Sequence, residues 1–237
     1  MKTIILCGGI GYRLKEETEF KPKPMVNIGG KPILWHIMKI YAHYGFNEFI
    51  IALGYKGDYI KQYFASNANL IKNFNITLVD TGQETLPGER ILRIKDYIPK
   101  EDQNFMVTYG DGVSDVNIKD LVKFHEQQGA IGTVTGVHPR SKWGLLRADR
   151  NKKVISFVEK PVLREEWVNG GFMVFKREFF KYLKKSEFEH DALKRLIEKG
   201  QLSLYSHDTF WHAMDTYPDV DSLNKIWIED PKWKVWK

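Results

Sequence analysis

The chain has 237 residues, 43% hydrophobic and 28% charged, which suits one globular domain and excludes a low-complexity or disordered chain. Its single cysteine, Cys7, excludes a disulfide framework and a cysteine-rich metal site, and fits a reducing cytoplasm. A net charge of +6 with no basic run and no nucleic-acid motif points to a solvated surface or to polyanionic small molecules; no apolar stretch is long enough for a membrane span or a signal peptide.

Residues 4–6 read as a first buried strand, and Leu6-Cys7-Gly8-Gly9-Ile10-Gly11-Tyr12-Arg13 carries the chain out of it. Glycines after a strand let the backbone approach a ligand and offer N–H groups to phosphate oxygens, and Arg13 adds a fixed fork of donors. The spacing is neither a dinucleotide fingerprint nor a P-loop, and a tight strand-to-helix turn would look the same. In Lys21-Pro22-Lys23-Pro24-Met25 two prolines hold the backbone extended, so both lysines stand on a stiff segment. A rigid lysine near a glycine loop can neutralise charge on a transferring phosphoryl group; a stiffened surface loop is the alternative.

Pro32 sits at a helix start, and Ile33, Leu34, Ile37, Met38 and Tyr41 recur at helical spacing up to Gly45. Residues 49–53, 76–79 and 105–108 read as buried strands, 58–64 as a helix, and the polar 66–75 as a surface loop. The third strand leads into Tyr109-Gly110-Asp111-Gly112. In a parallel sheet ligands sit at the carboxyl ends of strands, where Asp111 is placed to hold Mg²⁺ against phosphates. Asn117 caps a helix with Ile118, Leu121 and Val122 on one face. Strands alternating with helices predict βαβ units and a parallel sheet for residues 1–130.

After residue 130 short strands (133–137, 145–147, 154–157, 172–175, 202–205) crowd together with helices near 177–183, 191–198 and 220–228. They predict a small antiparallel and helical lobe laid against the parallel sheet. Glu159-Lys160-Pro161 and Asn169-Gly170-Gly171-Phe172 are ordinary turns or the lining of an acceptor pocket. Asp215 is either a second metal carboxylate or a helix cap. His207 and His212 lack a third ligand at zinc spacing and read as structural. Trp227, Trp233 and Trp236 read as packing or a subunit contact.

Taken together, these motifs resemble the sugar-phosphate nucleotidyltransferases over almost the whole chain. Residues 28–39, Gly54-Tyr55-Lys56-Gly57, 78–82 and 108–113 are similar to the cytidylyltransferases among them. The resemblance implies one Rossmann-like, mostly parallel α/β domain, with a nucleotide-binding half (1–130) and an acceptor-binding and oligomerisation half (131–237). It implies that CTP and a sugar 1-phosphate such as glucose 1-phosphate give a CDP-sugar and pyrophosphate, with Mg²⁺, for cell-surface polysaccharide precursors. It further implies that Gly8, Gly9, Gly11 and Arg13 hold the triphosphate, that Leu6 and Tyr12 belong to the nucleotide site, and that Lys23 meets the reacting phosphates. Thr85, Arg90 and Gly110 would line the nucleotide pocket, with Arg90 donating to cytosine O2 and N3. Asp111 and Asp215 would hold Mg²⁺, Glu159, Lys160, Asn169 and Gly170 would face the acceptor, and the protein would be a homo-oligomer.

Four positions depart from the family pattern. Tyr12 replaces a threonine, the 66–75 segment is short, Glu89 replaces a glycine, and residues 138–144, with Arg140 and Trp143, differ where they border the acceptor pocket. The last leaves open a non-sugar acceptor, for which phosphoglutamine is a family precedent. A non-catalytic nucleotide-binding regulator is the third reading; it would need neither Lys23 nor the Asp111 and Asp215 pair.

Overall fold

Thr3–Cys7 forms the first strand, β1, because each face of it meets an apolar layer. Ile4 packs in one cluster with Ile50 and Val107, Ile5 in another with Ile51 and Met106, and all six are fully buried. Neighbouring side chains on a strand point to opposite faces, so a strand covered on both reads as an unbroken apolar run. The computed structural model describes residues 1–237.

The first half continues through α1 (Lys15–Thr18), a short hairpin of β2 (Asn27–Ile28) and β3 (Lys31–Pro32), α2 (Ile33–His43), β4 (Glu48–Leu53), α3 (Gly57–Ser66) and α4 (Ala68–Ile71). It then runs through β5 (Asn75–Asp80), α5 (Pro87–Ile94), β6 (Asn104–Tyr109), β7 (Gly112–Ser114) and α6 (Ile118–Gln128). The second half adds β8 (Gly132–Val137), β9 (Leu145–Ala148), β10 (Val154–Val158), β11 (Val168–Lys176), α7 (Lys194–Glu198), β12 (Leu202–His207), β13 (Trp211–Ala213) and α8 (Tyr217–Glu229). No helix is long and apolar enough to cross a membrane.

Seven strands form the central sheet in the order β12-β8-β11-β6-β1-β4-β5. β1 pairs in parallel with both β4 and β6, and β11 alone runs against its neighbours. The mostly parallel α/β sheet read from the sequence is therefore what forms. The second half is less separate than its sequence suggests, because β8, β11 and β12 complete the main sheet. The β9–β10 hairpin stands apart, and β13 pairs with β7 in a small antiparallel ladder of its own.

Caps and glycines stop the helices as expected. The Asn117 side chain accepts from the N–H groups of Lys119 (3.0 Å) and Asp120 (3.2 Å), and Gly45 takes φ +91° after α2. Three helices, α1, α4 and α5, are not foreseen by the sequence pattern. The polar 66–75 connection carries the single turn α4, and α5 begins on Pro87-Gly88, a pair that reads as a loop.

The C-terminal tryptophans serve packing. Trp233 is fully buried and its indole N–H donates to His36 Nδ1 at 3.3 Å, while His36 Nε2 lies 2.8 Å from the Ile28 carbonyl. That arrangement needs a neutral imidazole, protonated on Nε2 and free on Nδ1. Burial lowers the His36 pKa to about 4, from an ordinary 6.5. The unfolded chain therefore takes up this proton first. Stability from His36 is complete above pH 6.5 and is lost as pH falls from 6.5 to 4, by about 3 kcal/mol in all. The fall in Tm over that window should be shallower in His36→Gln than in the wild type; equal slopes would show that His36 does not carry it.

Candidate functional site

β1 lies between β4 and β6, so the chain leaves the sheet in opposite directions on its two sides. The carboxyl ends of β1 and β6 therefore flank a switch point, the place where an open α/β sheet binds ligands. The glycine loop follows the first strand and Gly110-Asp111 the second. Gly11 stands at φ +72°, a left-handed conformation open to glycine, and a Cβ there would meet Thr18 at 3.0 Å and Lys23 at 3.3 Å. The loop is thereby pressed against the Lys-Pro-Lys-Pro segment. Pro22 and Pro24 are buried and a single helical turn over Lys23–Met25 holds Lys23 toward the loop.

Two aspartates 104 positions apart meet here because β7 and β13 pair. Gly112 stands opposite Ala213, and beyond that pair the Met214 N–H donates to the Asp111 carbonyl at 2.8 Å. Asp215 is the next residue. Its neighbours, not its own side chain, cap α8: Thr216 and Asp219 form a reciprocal capping box. The Asp215 carboxylate is left for the site. Lys23 Nζ donates to Asp111 Oδ2 at 2.5 Å and to Asp215 Oδ1 at 2.8 Å, and Arg13 reaches Asp215 Oδ1 at 3.0 Å.

The charges bias one another. Burial alone would lower the Lys23 pKa, but Asp111 and Asp215 outweigh it and raise the value. Burial would raise that of Asp215, but Lys23, Arg13 and Lys142 outweigh it and lower the value. Both groups are held in their charged forms.

Two clefts open on this cluster. The first, about 240 Å³, is lined by Leu6, Gly8, Gly9, Gly11, Lys23, Thr85, Arg90, Gly110 and Asp111, all expected in the nucleotide site except that Asp111 was read for metal. Cys7, Pro24, Pro87 and Tyr109 complete its wall. The second, about 290 Å³, is lined by Arg13, Asp111, Asn169, Gly170 and Asp215 together with Tyr109 and Trp211, whose indole donates to the Gly170 carbonyl at 2.8 Å. Tyr109 and Asp111 belong to both.

Arg90 departs from its expected part. Its guanidinium is buried and donates to the carbonyls of Gly8 (3.0 Å), Leu53 (3.1 Å), Gly82 (2.6 Å) and Gln83 (3.0 Å) and to Thr81 Oγ1 (2.7 Å). The four terminal N–H groups are spent on the protein, so Arg90 ties the glycine loop to the ends of β4 and β5 instead of offering them to a base. The guanidinium lies against Gly8 and Gly54, where a Cβ would come within 2.1 Å and 2.4 Å of it. Gly8→Ala should expel it and cost at least one charged hydrogen bond, about 2 kcal/mol, read as a lower Tm and a raised nucleotide KM. Gly9, with nothing within 4 Å of its Cβ position, should accept alanine with an unchanged Tm. Equal effects at both positions would refute the Arg90 account.

The remaining expected residues lie outside the clefts. Tyr12 is 77% and Trp143 74% exposed. Arg140 forms an isolated bridge with Val162, and the buried Ser141 donates its N–H to the Pro161 carbonyl at 2.8 Å, so the two turns are laced together. Glu159 and Lys160 are exposed beside them, with Lys160 at φ +45° before Pro161, a strained position for a non-glycine residue. Lys142 in this segment is the weakest of the three positive charges that lower the Asp215 pKa, after Lys23 and Arg13.

Asp111 and Asp215 suit a hard divalent cation. They are oxygen donors that already converge on one positive charge, the Lys23 ammonium. Two protein carboxylates leave the other positions to phosphates and water, which is how Mg²⁺ is commonly held. No group of three or more His, Cys, Asp or Glu side chains assembles in the chain.

Known proteins narrow the class to which the chain belongs. The nucleotidyl transferase family matches residues 2–230, and the chain belongs to that family. It is 43% identical to a probable glucose-1-phosphate cytidylyltransferase of Bacillus subtilis (strain 168) over 258 aligned positions that cover all of both chains. It is 40% identical to a glucose-1-phosphate cytidylyltransferase of Salmonella typhimurium, again with both chains covered in full. The crystal structure of HddC from Yersinia pseudotuberculosis superposes with a TM-score of 0.74 at 25% identity, over 95% of this chain and 99% of that one.

Proposed function

We propose that the protein transfers the cytidylyl group of CTP to the phosphate of a sugar 1-phosphate, glucose 1-phosphate foremost, releasing pyrophosphate. The observation that carries this reading is the meeting of Lys23 with Asp111 and Asp215 between a glycine-loop cleft and a second cleft. The two cytidylyltransferase relatives support the choice of base and acceptor. A protein that only senses nucleotide has no use for a lysine and two carboxylates placed between two clefts.

In the reaction an acceptor phosphate oxygen attacks the α-phosphorus in line. A new P–O bond forms and the bond to the bridging oxygen of pyrophosphate breaks. The acceptor needs no general base, because a phosphomonoester with a second pKa of about 6 is already ionised. What remains is positioning and charge neutralisation. Gly8, Gly9 and Gly11 present the loop backbone to the triphosphate in the first cleft, and Arg90 holds that loop in place. Lys23, rigid and charged, stabilises the α-phosphate, and Arg13, joined to Asp215 in the second cleft, adds positive charge on the acceptor side of the transfer. Asn169 and Gly170 line the acceptor cleft, and Lys142 adds positive charge at its phosphate end. Asp111 and Asp215 would hold Mg²⁺, which when bound offsets charge on phosphate oxygens.

Residues 1–130 then serve mainly the nucleotide and 131–237 the acceptor, and the single Cys7 suits a reducing cytoplasm. A homo-oligomer is part of the proposal. The β9–β10 hairpin exposes Leu146, Ile155 and Phe157, and apolar surface of this kind seeks a partner. A monomer mass by light scattering would reject that part.

The test is pyrophosphate release with CTP, UTP, GTP, ATP and dTTP crossed with hexose 1-phosphates and non-sugar phosphates including phosphoglutamine. Release is expected with CTP and glucose 1-phosphate. Release with CTP and a non-sugar phosphate alone would move the acceptor. No release with any pair would overturn the reading.

A further inference from the structure

We infer that Glu189 is a positioning residue for the acceptor cleft, acting through Tyr109 and Asn169; the inference rests on the reading of that cleft given above. Tyr109 ends β6, and its ring is wall to both clefts. Its hydroxyl donates to Glu189 Oε1 and accepts the Asn169 amide N–H at 3.2 Å. Asn169 Oδ1 in turn accepts the Gly171 N–H at 2.9 Å. Gly171 stands at φ +86°, and a Cβ there would lie 2.7 Å from the Tyr109 ring. Ring, amide and turn thus form one unit, and the two bonds of Asn169 fix which end of its amide faces which way. Glu189 is the one charged member, and it lines neither cleft.

The position of Glu189 costs stability. Its second oxygen, Oε2, is buried without a hydrogen-bond partner. Glu189 as a whole is only partly buried, so the cost falls on that one oxygen, which has neither solvent nor a donor. Glu189 also opens a π-helical turn, Glu189–Leu193, a geometry that is rare and recurs at functional sites. Packing explains neither feature. An anion behind the Tyr109 hydroxyl explains both, because a hydroxyl that donates to a carboxylate becomes a stronger acceptor for the Asn169 amide. The charge of Glu189 thereby stiffens the wall that an acceptor's polar groups would meet.

Glu189→Gln keeps a carbonyl to accept from Tyr109, removes the charge and puts an amide NH2 in place of Oε2. Wild-type turnover is established first, so that failure of the proposed reaction is seen separately from failure of this inference. The variant should unfold at a temperature no lower than the wild type. Its acceptor KM should rise about fivefold to tenfold, the scale of one weakened hydrogen bond, while its nucleotide KM stays within about twofold. Glu189→Asp, which keeps the charge but draws it away from the Tyr109 hydroxyl, should give the same split and carries the test if Glu189→Gln does not fold. An unchanged acceptor KM in an active variant, or both KM values moving together with a lower Tm, would overturn the inference.

Discussion

Lys23→Ala is expected to lower kcat by about 10³-fold and to leave the fold intact, the scale seen when one preorganised charge-stabilising donor is removed. Lys23 has two tasks in one position. It bridges Asp111 and Asp215 at 2.5 Å and 2.8 Å, and it lines the glycine-loop cleft where the α-phosphate would lie. Its flanking prolines are buried and its backbone turn is closed by bonds that do not involve the side chain, so alanine leaves the segment in place. The two carboxylates lose their shared cation, a loss that added Mg²⁺ can repair. The charge facing the phosphate is lost as well, and Mg²⁺ on the carboxylates does not replace it. The deficit in kcat should therefore persist at saturating Mg²⁺. Recovery to the wild-type rate at high Mg²⁺ would show that Lys23 only holds the carboxylates together. Lys23→Arg should not rescue, because a planar fork on this stiff segment cannot repeat the two contacts of a compact ammonium.

Asp111→Asn is expected to lower turnover by about 10²–10³-fold at an unchanged Tm. The substitution keeps the side chain's shape and removes its charge. What knits β7 to β13 beside the site is the Asp111 backbone carbonyl, which accepts from Met214 and which asparagine retains. Fold and chemistry separate cleanly at this position. The same change combined with Asp215→Asn should cost far less than the product of the two single losses, because one cation joins the pair. Near-wild-type pyrophosphate release from Asp111→Asn would refute the assignment of the carboxylates.

The strands of the central sheet were legible in the sequence for a physical reason. They are buried on both faces, so runs such as Phe49-Ile50-Ile51-Ala52-Leu53 are apolar without a break. The glycine loop, Lys23 and Gly110-Asp111 were legible because they follow such strands directly. The convergence of Asp111 with Asp215 was not. It depends on two three-residue strands about 100 positions apart, too short to carry a periodicity. Arg90 lines the glycine-loop cleft but donates to backbone carbonyls, since residue type announces donors and says nothing of the carbonyls that will claim them. The Tyr109–Glu189 contact and the link from Lys142 to Asp215 are likewise products of tertiary packing. On the acceptor side, Arg140 and Trp143 were singled out as departures from a family pattern. Their side chains do not line the second cleft.

The most direct measurement follows the α-phosphorus itself. The protein is incubated with glucose 1-phosphate, Mg²⁺ and CTP labelled with ³²P at the α-position, and the products are separated. The account predicts label in a CDP-sugar, matched mole for mole by unlabelled pyrophosphate. Label recovered as CMP, or retained in CTP while the sugar phosphate is consumed, would contradict it.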